Sequence, residues 1–345
     1  MSLIKTGRVD DADEMLDIAF RAARQRRDAA FEQLTGKNRL IKGRATEKER
    51  VFGAGNSIEK QLAHVLQSFP SMNQLPPFYA ELVRTLIDMD ELRHALGAID
   101  WAHGQIGKLT QEHLRRITAE KDFRKLEGIR RAFYGRVAST LKQINPELKE
   151  LETVRKTLRE LPTIKTGMPT VIIAGMPNVG KSTLLHALTG ADPEVQPYPF
   201  TTQQLMLGYT TFNKQKVQFI DTPGVLERPA EKRNVIERRA ALAIRHLASL
   251  VLFVIDPTLR CGYPLKDQLK LLAELRTEFD APFLVIVNKA DVATKEELSE
   301  VSEGVRVTAT TGEGIEAIRK RIAVIAKKFS DAAEISEEVS DDEEA

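Results

Sequence analysis

The sequence predicts two folds in series, a helical bundle followed by an α/β domain with a mostly parallel central sheet. Three observations carry this expectation. Residues 10–161 repeat apolar side chains at helical spacing. From Thr170 onward, short β-branched runs alternate with helical segments. No clear strand precedes Pro162. The expected divisions are 1–165 for the bundle, 166–329 for the α/β domain and 330–345 for a tail.

The elements follow in order. Leu16, Ala19, Phe20, Ala23, Ala30, Phe31 and Leu34 mark a first helix. The polar, glycine-containing stretch Thr35–Arg50 reads as a loop. Ile58, Leu62, Val65, Leu66 and Phe69 mark a second helix, which Pro70–Pro77 breaks. A third helical region runs from about Phe78 to Leu109, with an interruption near Gly97 and Gly104. A fourth carries Leu114, Ile117, Ile129, Phe133, Val137, Leu141 and Ile144. Asn145-Pro146-Glu147 then offers a cap with proline at the first helical position, ahead of Leu148, Leu151, Val154, Leu158 and Leu161. In the second half, Thr170–Ala174, Lys216–Ile220, Leu250–Ile255 and Phe283–Val287 read as strands buried on both faces. Ile315, Ile318, Ile322 and Ile325 share one face of a last helix.

Charge is unevenly spread. The 345 residues carry a net charge of +2. Residues 1–165 are basic, at +7, and residues 166–329 stand at +3. The last 16 residues hold eight acids and no base, a composition that predicts disorder. One cysteine, Cys261, excludes an intramolecular disulfide and suits a reducing compartment. The apolar runs fall far short of the ~18–20 residues of a membrane helix. The first 15 residues lack the apolar core of a secretory signal. A soluble cytoplasmic monomer without a membrane partner is the expectation. The histidines and Cys261 show no metal-binding spacing, Cys261 reads as structural, and Trp101 and His103 read as packing residues.

The α/β half carries four nucleotide motifs in order. Gly175–Ser182, "GMPNVGKS", fits G-x-x-x-x-G-K-[ST] between a strand and a helix. Such a loop cradles phosphate through its amides and the helix N-terminus, and the candidate nucleotide-binding residues here are Gly175, Pro177, Asn178, Val179, Gly180 and Thr183. Lys181 would reach the β- and γ-phosphates and Ser182 would bind Mg²⁺. "DTPG" puts Asp221 toward Mg²⁺ and the Gly224 amide toward the γ-phosphate. "NKAD" ends a strand at the edge where open α/β sheets bind ligands. Asp291 would accept two hydrogen bonds from guanine, and an adenine would leave that buried carboxylate unpaired. Lys289 would cover the base and Asn288 would tie the loops together. In Thr308-Ala309-Thr310 the Ala309 amide would meet guanine O6. In "YPFTT", Thr201 and Thr202 compete to complete the Mg²⁺ shell, with Thr202 favoured. The set predicts a Ras-like P-loop GTPase domain that binds GTP and GDP.

Val225 follows Gly224, where the Ras-type loop carries a glutamine that orients the attacking water. The stretches "GMPNVGKSTLLHALTG", "YPFTT" and "DTPG" resemble the Obg-related GTPases. The stretch Arg233–Gln268, with "RNVIE", "ALAIRHL" and "CGYPL", resembles their Nog branch, the nucleolar GTP-binding protein one family. The resemblance covers roughly residues 1–329. A long C-terminal extension of the eukaryotic members is absent, as in a shorter archaeal form, and no nucleolus is then expected. The resemblance implies a GTPase switch in maturation of the large ribosomal subunit, with pre-ribosomal RNA and ribosomal proteins as partners. Two other readings stand beside it: regulation of mature ribosomes or another RNA process, and a GTP-gated binding module with negligible turnover. The resemblance also implies K⁺ held partly by Asn178, which would supply charge at the phosphates. Catalytic roles then fall to Asn178, Lys181, Thr202 and Gly224. Arg21, Arg24, Arg26, Arg27, Lys37, Arg39, Lys42, Arg44, Lys48 and Arg50 would meet RNA phosphates. Aromatic content is 6%, so backbone and shape contacts are expected over base stacking.

Overall fold

Glycines on one long helix set the packing of the first half. In the computed structural model, which describes residues 7–33, 38–198, 204–212, 214–228, 231, 233, 235–327 and 329, the chain forms two compact units. One holds the described residues up to 74 together with 86–159, and the other holds 75–85 and those from 160 onward.

The helical unit contains α1 (Ala12–Gln33), α2 (Arg39–Ser68), α4 (Met89–Ala119), α5 (Phe123–Gln143) and α6 (Asn145–Arg159). Helix α2 packs against α1, α4 and α5. A Cβ on Gly55 would stand 2.2 Å from Thr110 Oγ1, and one on Gly43 2.5 Å from the Phe123 ring. Without a Cβ, these glycines let the Thr110 and Phe123 side chains lie against the α2 backbone. Val51, Ile58, Leu62, Ile99, Ile106, Ile117, Phe133 and Leu151 fill the core. The expected loop over Thr35–Arg50 is therefore mostly helix. Asn38 caps α2 by accepting from the Leu40 amide at 2.8 Å, and Gly43 and Thr46 are buried. Gly97 and Gly104 do not interrupt α4, since both face open space. The breaks fall instead at Asp88, which caps α4, and at Asp122, which caps α5. Trp101 is 47% exposed, on the face of α4 opposite Ile99, Ala102 and Ile106, so it is not a packing residue. The buried histidine of this helix is His113, bonded to Leu109 O.

The Glu152 carboxylate takes bonds from Arg155 at 2.6 and 2.8 Å and from the Val9 amide at 3.0 Å. The Arg155 guanidinium, helped by the Val9 amide, outweighs burial and lowers its pKa from 4.5 to about 2. A depressed carboxylate stabilises the fold above its unfolded pKa, and that stability is lost as pH falls. The expected result is a melting temperature that falls between about pH 4.5 and pH 2, with a flatter profile in Glu152→Gln. Calorimetry of both proteins across that window measures it.

The second unit begins with α3 (Pro77–Leu86), placed by sequence in the helical leader. Tyr79 explains the difference. Its hydroxyl donates to Pro162 O or Ile164 O, at 3.0 and 2.9 Å, and accepts from the Ile164 amide at 2.8 Å. The expected division at 165 is thus interrupted by residues 75–85.

The sheet of this unit runs β2-β3-β4-β1-β5-β6-β7. The strands are β1 (Thr170–Ala174), β2 (Glu194–Pro197), β3 (Gln204–Phe212), β4 (Gln215–Asp221), β5 (Ala248–Ile255), β6 (Phe283–Val287) and β7 (Val305–Arg306). Strands β4, β1, β5, β6 and β7 are parallel; β3 pairs antiparallel with both β2 and β4. Helices α7 (Lys181–Thr189), α8 (Val235–Arg245), α9 (Leu265–Glu278), α10 (Lys295–Ser299) and α11 (residues 315–327) complete the unit. The four expected strands are present, β1 and β6 with the expected ends. Strands β2 and β3 were not expected. The parallel arrangement places Gly175, Asp221, Asp256 and Asn288 at the carboxyl edge of the sheet. The acidic tail from 330 lies outside the described residues. Among the described residues, no helix is long and apolar enough to cross a membrane, and no group of three potential metal ligands occurs.

Candidate nucleotide site

The loop after β1 has the stereochemistry of a phosphate cradle. Gly175 (φ 142°) passes so near β5 that a Cβ would meet Val254 O at 2.5 Å. Asn178 adopts φ 62°, a left-handed conformation that asparagine tolerates. Gly180 (φ 99°) leaves room for the Asn288 side chain, 2.3 Å from where its Cβ would be. Helix α7 starts at Lys181, so its free amides and dipole open onto this loop. Ser182 and Thr183 are exposed in its first turn.

Lys181 is 6% exposed, and its ammonium donates to Met176 O at 3.0 Å and to Glu227 Oε1 at 2.7 Å. Ser182 Oγ donates to Asp221 Oδ2 at 2.7 Å. Asp221 is fully buried. Burial raises its pKa, only partly offset by Lys181 and by the Ser182 hydrogen bond. Asp221 Oδ1 and Thr222 Oγ1 have no partner among the described residues. A buried, unpartnered carboxylate oxygen beside a hydroxyl is a hard-oxygen donor set, and it fits Mg²⁺. Gly224 takes φ 73°, and the Val225 amide closes the turn onto Thr222 O at 3.2 Å. The Val225 side chain is 1% exposed and belongs to the core. Thr201 and Thr202 lie outside the described residues.

Asn288 joins the two ends of the site. Its Nδ2 donates to Val179 O at 2.9 Å, and its Oδ1 accepts from the Ala309 amide at 3.1 Å. That amide, expected to meet guanine O6, is therefore engaged by Asn288 here. Lys289 (φ 59°) donates to Asn178 O at 3.1 Å and to Asp256 Oδ2 at 2.6 Å. Asp291, expected to be buried, is exposed, with Thr308 Oγ1 at 3.4 Å, and Thr310 is exposed beside it.

Two site residues escaped the sequence reading. Glu227 pairs with Lys181 across 46 positions; its only signal is an acid just after the "DTPG" turn. Asp256 directly follows β5, beside β6, which leads into Asn288 and Lys289. Burial opposes its ionisation, but Lys289 and Thr258 outweigh burial and hold its pKa below the ordinary value. Gln268 accepts from the Asp256 amide and donates to Asp256 O and Tyr263 O, which fastens the "CGYPL" loop to β5. Cys261 is buried in that loop, and burial pushes its thiol pKa up, as befits a structural residue.

Residues 5–165 match the family described as the NOG1 N-terminal helical domain, and residues 170–289 the family described as 50S ribosome-binding GTPase. An uncharacterized protein of Methanocaldococcus jannaschii is 42% identical over 257 residues, which are 74% of this chain and 72% of that protein. This chain belongs to the NOG1 family. Within the family, the nucleolar GTP-binding protein 1 of Drosophila melanogaster is 37% identical over 74% of this chain and 40% of its own length. A Plasmodium falciparum nucleolar GTP-binding protein 1 structure is 30% identical over 52% of this chain and 97% of that one, with a TM-score of 0.43. The chain spans 36–52% of the length of the nucleolar GTP-binding protein 1 sequences it matches. The α/β unit is a P-loop GTPase domain, as the motifs led one to expect.

In the NOG1-type helical unit, several of the expected RNA-facing bases are engaged within the protein. Arg26 pairs with Glu49 at 2.8 Å, Arg27 with Asp28, and Arg50 with Glu47 at 3.0 Å. Arg44 donates to Glu120 O at 2.8 Å. Arg39 lies 4.5 Å from the Phe123 ring centroid and Lys42 3.4 Å from that of Phe31, both on exposed rings. Arg21 and Arg24 are exposed and bond back to carbonyls of their own helix at 3.3 Å. Lys37 lies outside the described residues.

Proposed function

We propose that this chain hydrolyses GTP to GDP and phosphate and uses the nucleotide state as a switch in assembly of the large ribosomal subunit. The observation that carries the nucleotide reading is Asn288. One buried amide couples the phosphate loop at Val179 to the base loop at Ala309. The 50S ribosome-binding description of the matched GTPase family and the nucleolar naming of its relatives support the ribosomal reading.

In this reading Lys181 and the α7 amides hold the β- and γ-phosphates, which lowers the cost of developing negative charge. Ser182, Asp221 and Thr202 would hold Mg²⁺, which would neutralise phosphate charge. Asp291 selects guanine, and Lys289, held by Asp256, covers the base. Gly224 senses the γ-phosphate through its amide. Asn178 contributes a ligand to K⁺, read as faster turnover in KCl than in NaCl. The basic helical unit meets ribosomal RNA and proteins in the cytoplasm, with Arg21, Arg24, Arg39 and Lys42 among its contacts.

The test is co-sedimentation of the full chain with ribosomal particles, in a non-hydrolysable GTP analogue and in GDP. Preferential capture by immature large subunits in the GTP-like state is the expected result. Equal capture by mature subunits in both states favours a regulator of mature ribosomes. Capture without GTP turnover on the particle favours a binding module. No capture in either state overturns the ribosomal reading.

A further inference from the structure

We infer that Glu227 competes with nucleotide phosphate for Lys181, and that displacing it is part of every binding event at the P-loop. The inference rests on the nucleotide reading above and names a determinant of affinity within that site. The Lys181 ammonium and the Glu227 carboxylate meet at 2.7 Å, with side chains 6% and 12% exposed. The third group at this cation is Met176 O, a carbonyl of the loop itself. A phosphate held by Lys181 must come to the same ammonium. It would then share a nearly dry pocket with a carboxylate of like charge. The buried Asp221 carboxyl is close enough to be coupled electrostatically to both Lys181 and Glu227. Glu227 and a phosphate cannot both hold one ammonium in so dry a place, and the group on the loop is the one free to leave. Glu227 follows the Gly224 turn, where φ is 73°. Asp221, by contrast, ends a strand in register with Ile173 of β1.

Phosphate at Lys181 breaks the pair, so the pair favours the nucleotide-free protein and lowers apparent affinity. If the paired form is about nine-tenths of the nucleotide-free population, affinity is reduced about tenfold. The departing carboxylate carries the segment after "DTPG" with it, which couples phosphate entry to movement of that segment. Glu227 is therefore a positioning residue that acts through Lys181.

The experiment uses the full nucleotide-free chain, wild type and Glu227→Gln, with fluorescent GDP and a fluorescent non-hydrolysable GTP analogue. Dissociation constants are read together with melting temperatures, both free and nucleotide-loaded. The expected result is about tenfold tighter binding of both nucleotides by Glu227→Gln. Its free form should melt lower than wild type, and its loaded form should melt at the wild-type temperature. Should Glu227→Gln not fold, Glu227→Asp draws the carboxylate back by one methylene and should still tighten binding. Wild-type binding with unchanged or weaker binding by the variant overturns the inference and leaves the nucleotide reading intact. So does an equal fall of both melting temperatures, the mark of a merely structural contact. Failure of the wild type to bind either nucleotide overturns the nucleotide reading, and this inference with it.

Discussion

Lys181→Ala is expected to lower kcat/KM for GTP by about three orders of magnitude, the scale for losing a preorganised charge at the phosphates. The substitution also removes the counter-ion of Glu227, whose side chain is 12% exposed. Removing one partner of a buried pair leaves the other charge uncompensated, at a cost of about 3 kcal/mol. The nucleotide-free variant should therefore unfold at a lower denaturant concentration as well as fail to turn over. The double variant Lys181→Ala/Glu227→Gln separates the two effects. It should regain most of the lost stability and none of the activity, so stability couples while catalysis does not. A single variant with wild-type turnover would remove Lys181 from the phosphate site. GTPase assays and urea unfolding on the three proteins measure this.

Asn288→Ala is expected to weaken GDP and GTP binding by about a hundredfold and to destabilise the α/β unit by about 2–4 kcal/mol. The residue is 3% exposed and uses both ends of its amide. Its loss strips Val179 O and the Ala309 amide of their partners and opens space where Gly180 passes closest. Unsatisfied polar groups in so confined a place cost more than the hydrogen bonds contributed. Anisotropy with labelled GDP and urea unfolding are the measurements. Binding within threefold of wild type would mean that the two loops are ordered independently.

The nucleotide motifs were legible because backbone stereochemistry dictates their residue types at set spacings. Gly175 and Gly180 adopt left-handed conformations with no room for a side chain, and Lys181 and Ser182 must open the helix. The Lys181–Glu227 and Asp256–Lys289 pairs were not legible, because each joins residues far apart in the chain through the fold alone. Asp291 reads as buried from its motif, yet the fold leaves it exposed, with the Thr308 hydroxyl at 3.4 Å.

The errors in the helical unit share a cause. Glycine reads as punctuation in the sequence, yet Gly43 is a contact point, and Gly97 and Gly104 are harmless on an open face. Tertiary packing overrides local propensity in both cases. Strand β3 was missed because its burial alternates irregularly, and Gly208 sits mid-strand to admit Thr189. Helix α3 reads like its neighbours, and only Tyr79 reveals which unit it joins.

The inward position of Val225 narrows the evolutionary routes open to this lineage. A single exchange to glutamine there would place an amide in a hydrocarbon core rather than beside a phosphate. Such a variant is expected to be less stable, because an amide buried among hydrocarbon there finds no hydrogen-bond partner. An exchange for another apolar residue of similar size is the substitution this packing tolerates best. The pace of any turnover must then be inherited through a different part of the molecule or through whatever it docks on. In the ribosomal reading proposed above, the timing of turnover is then shared between this chain and the particle it joins.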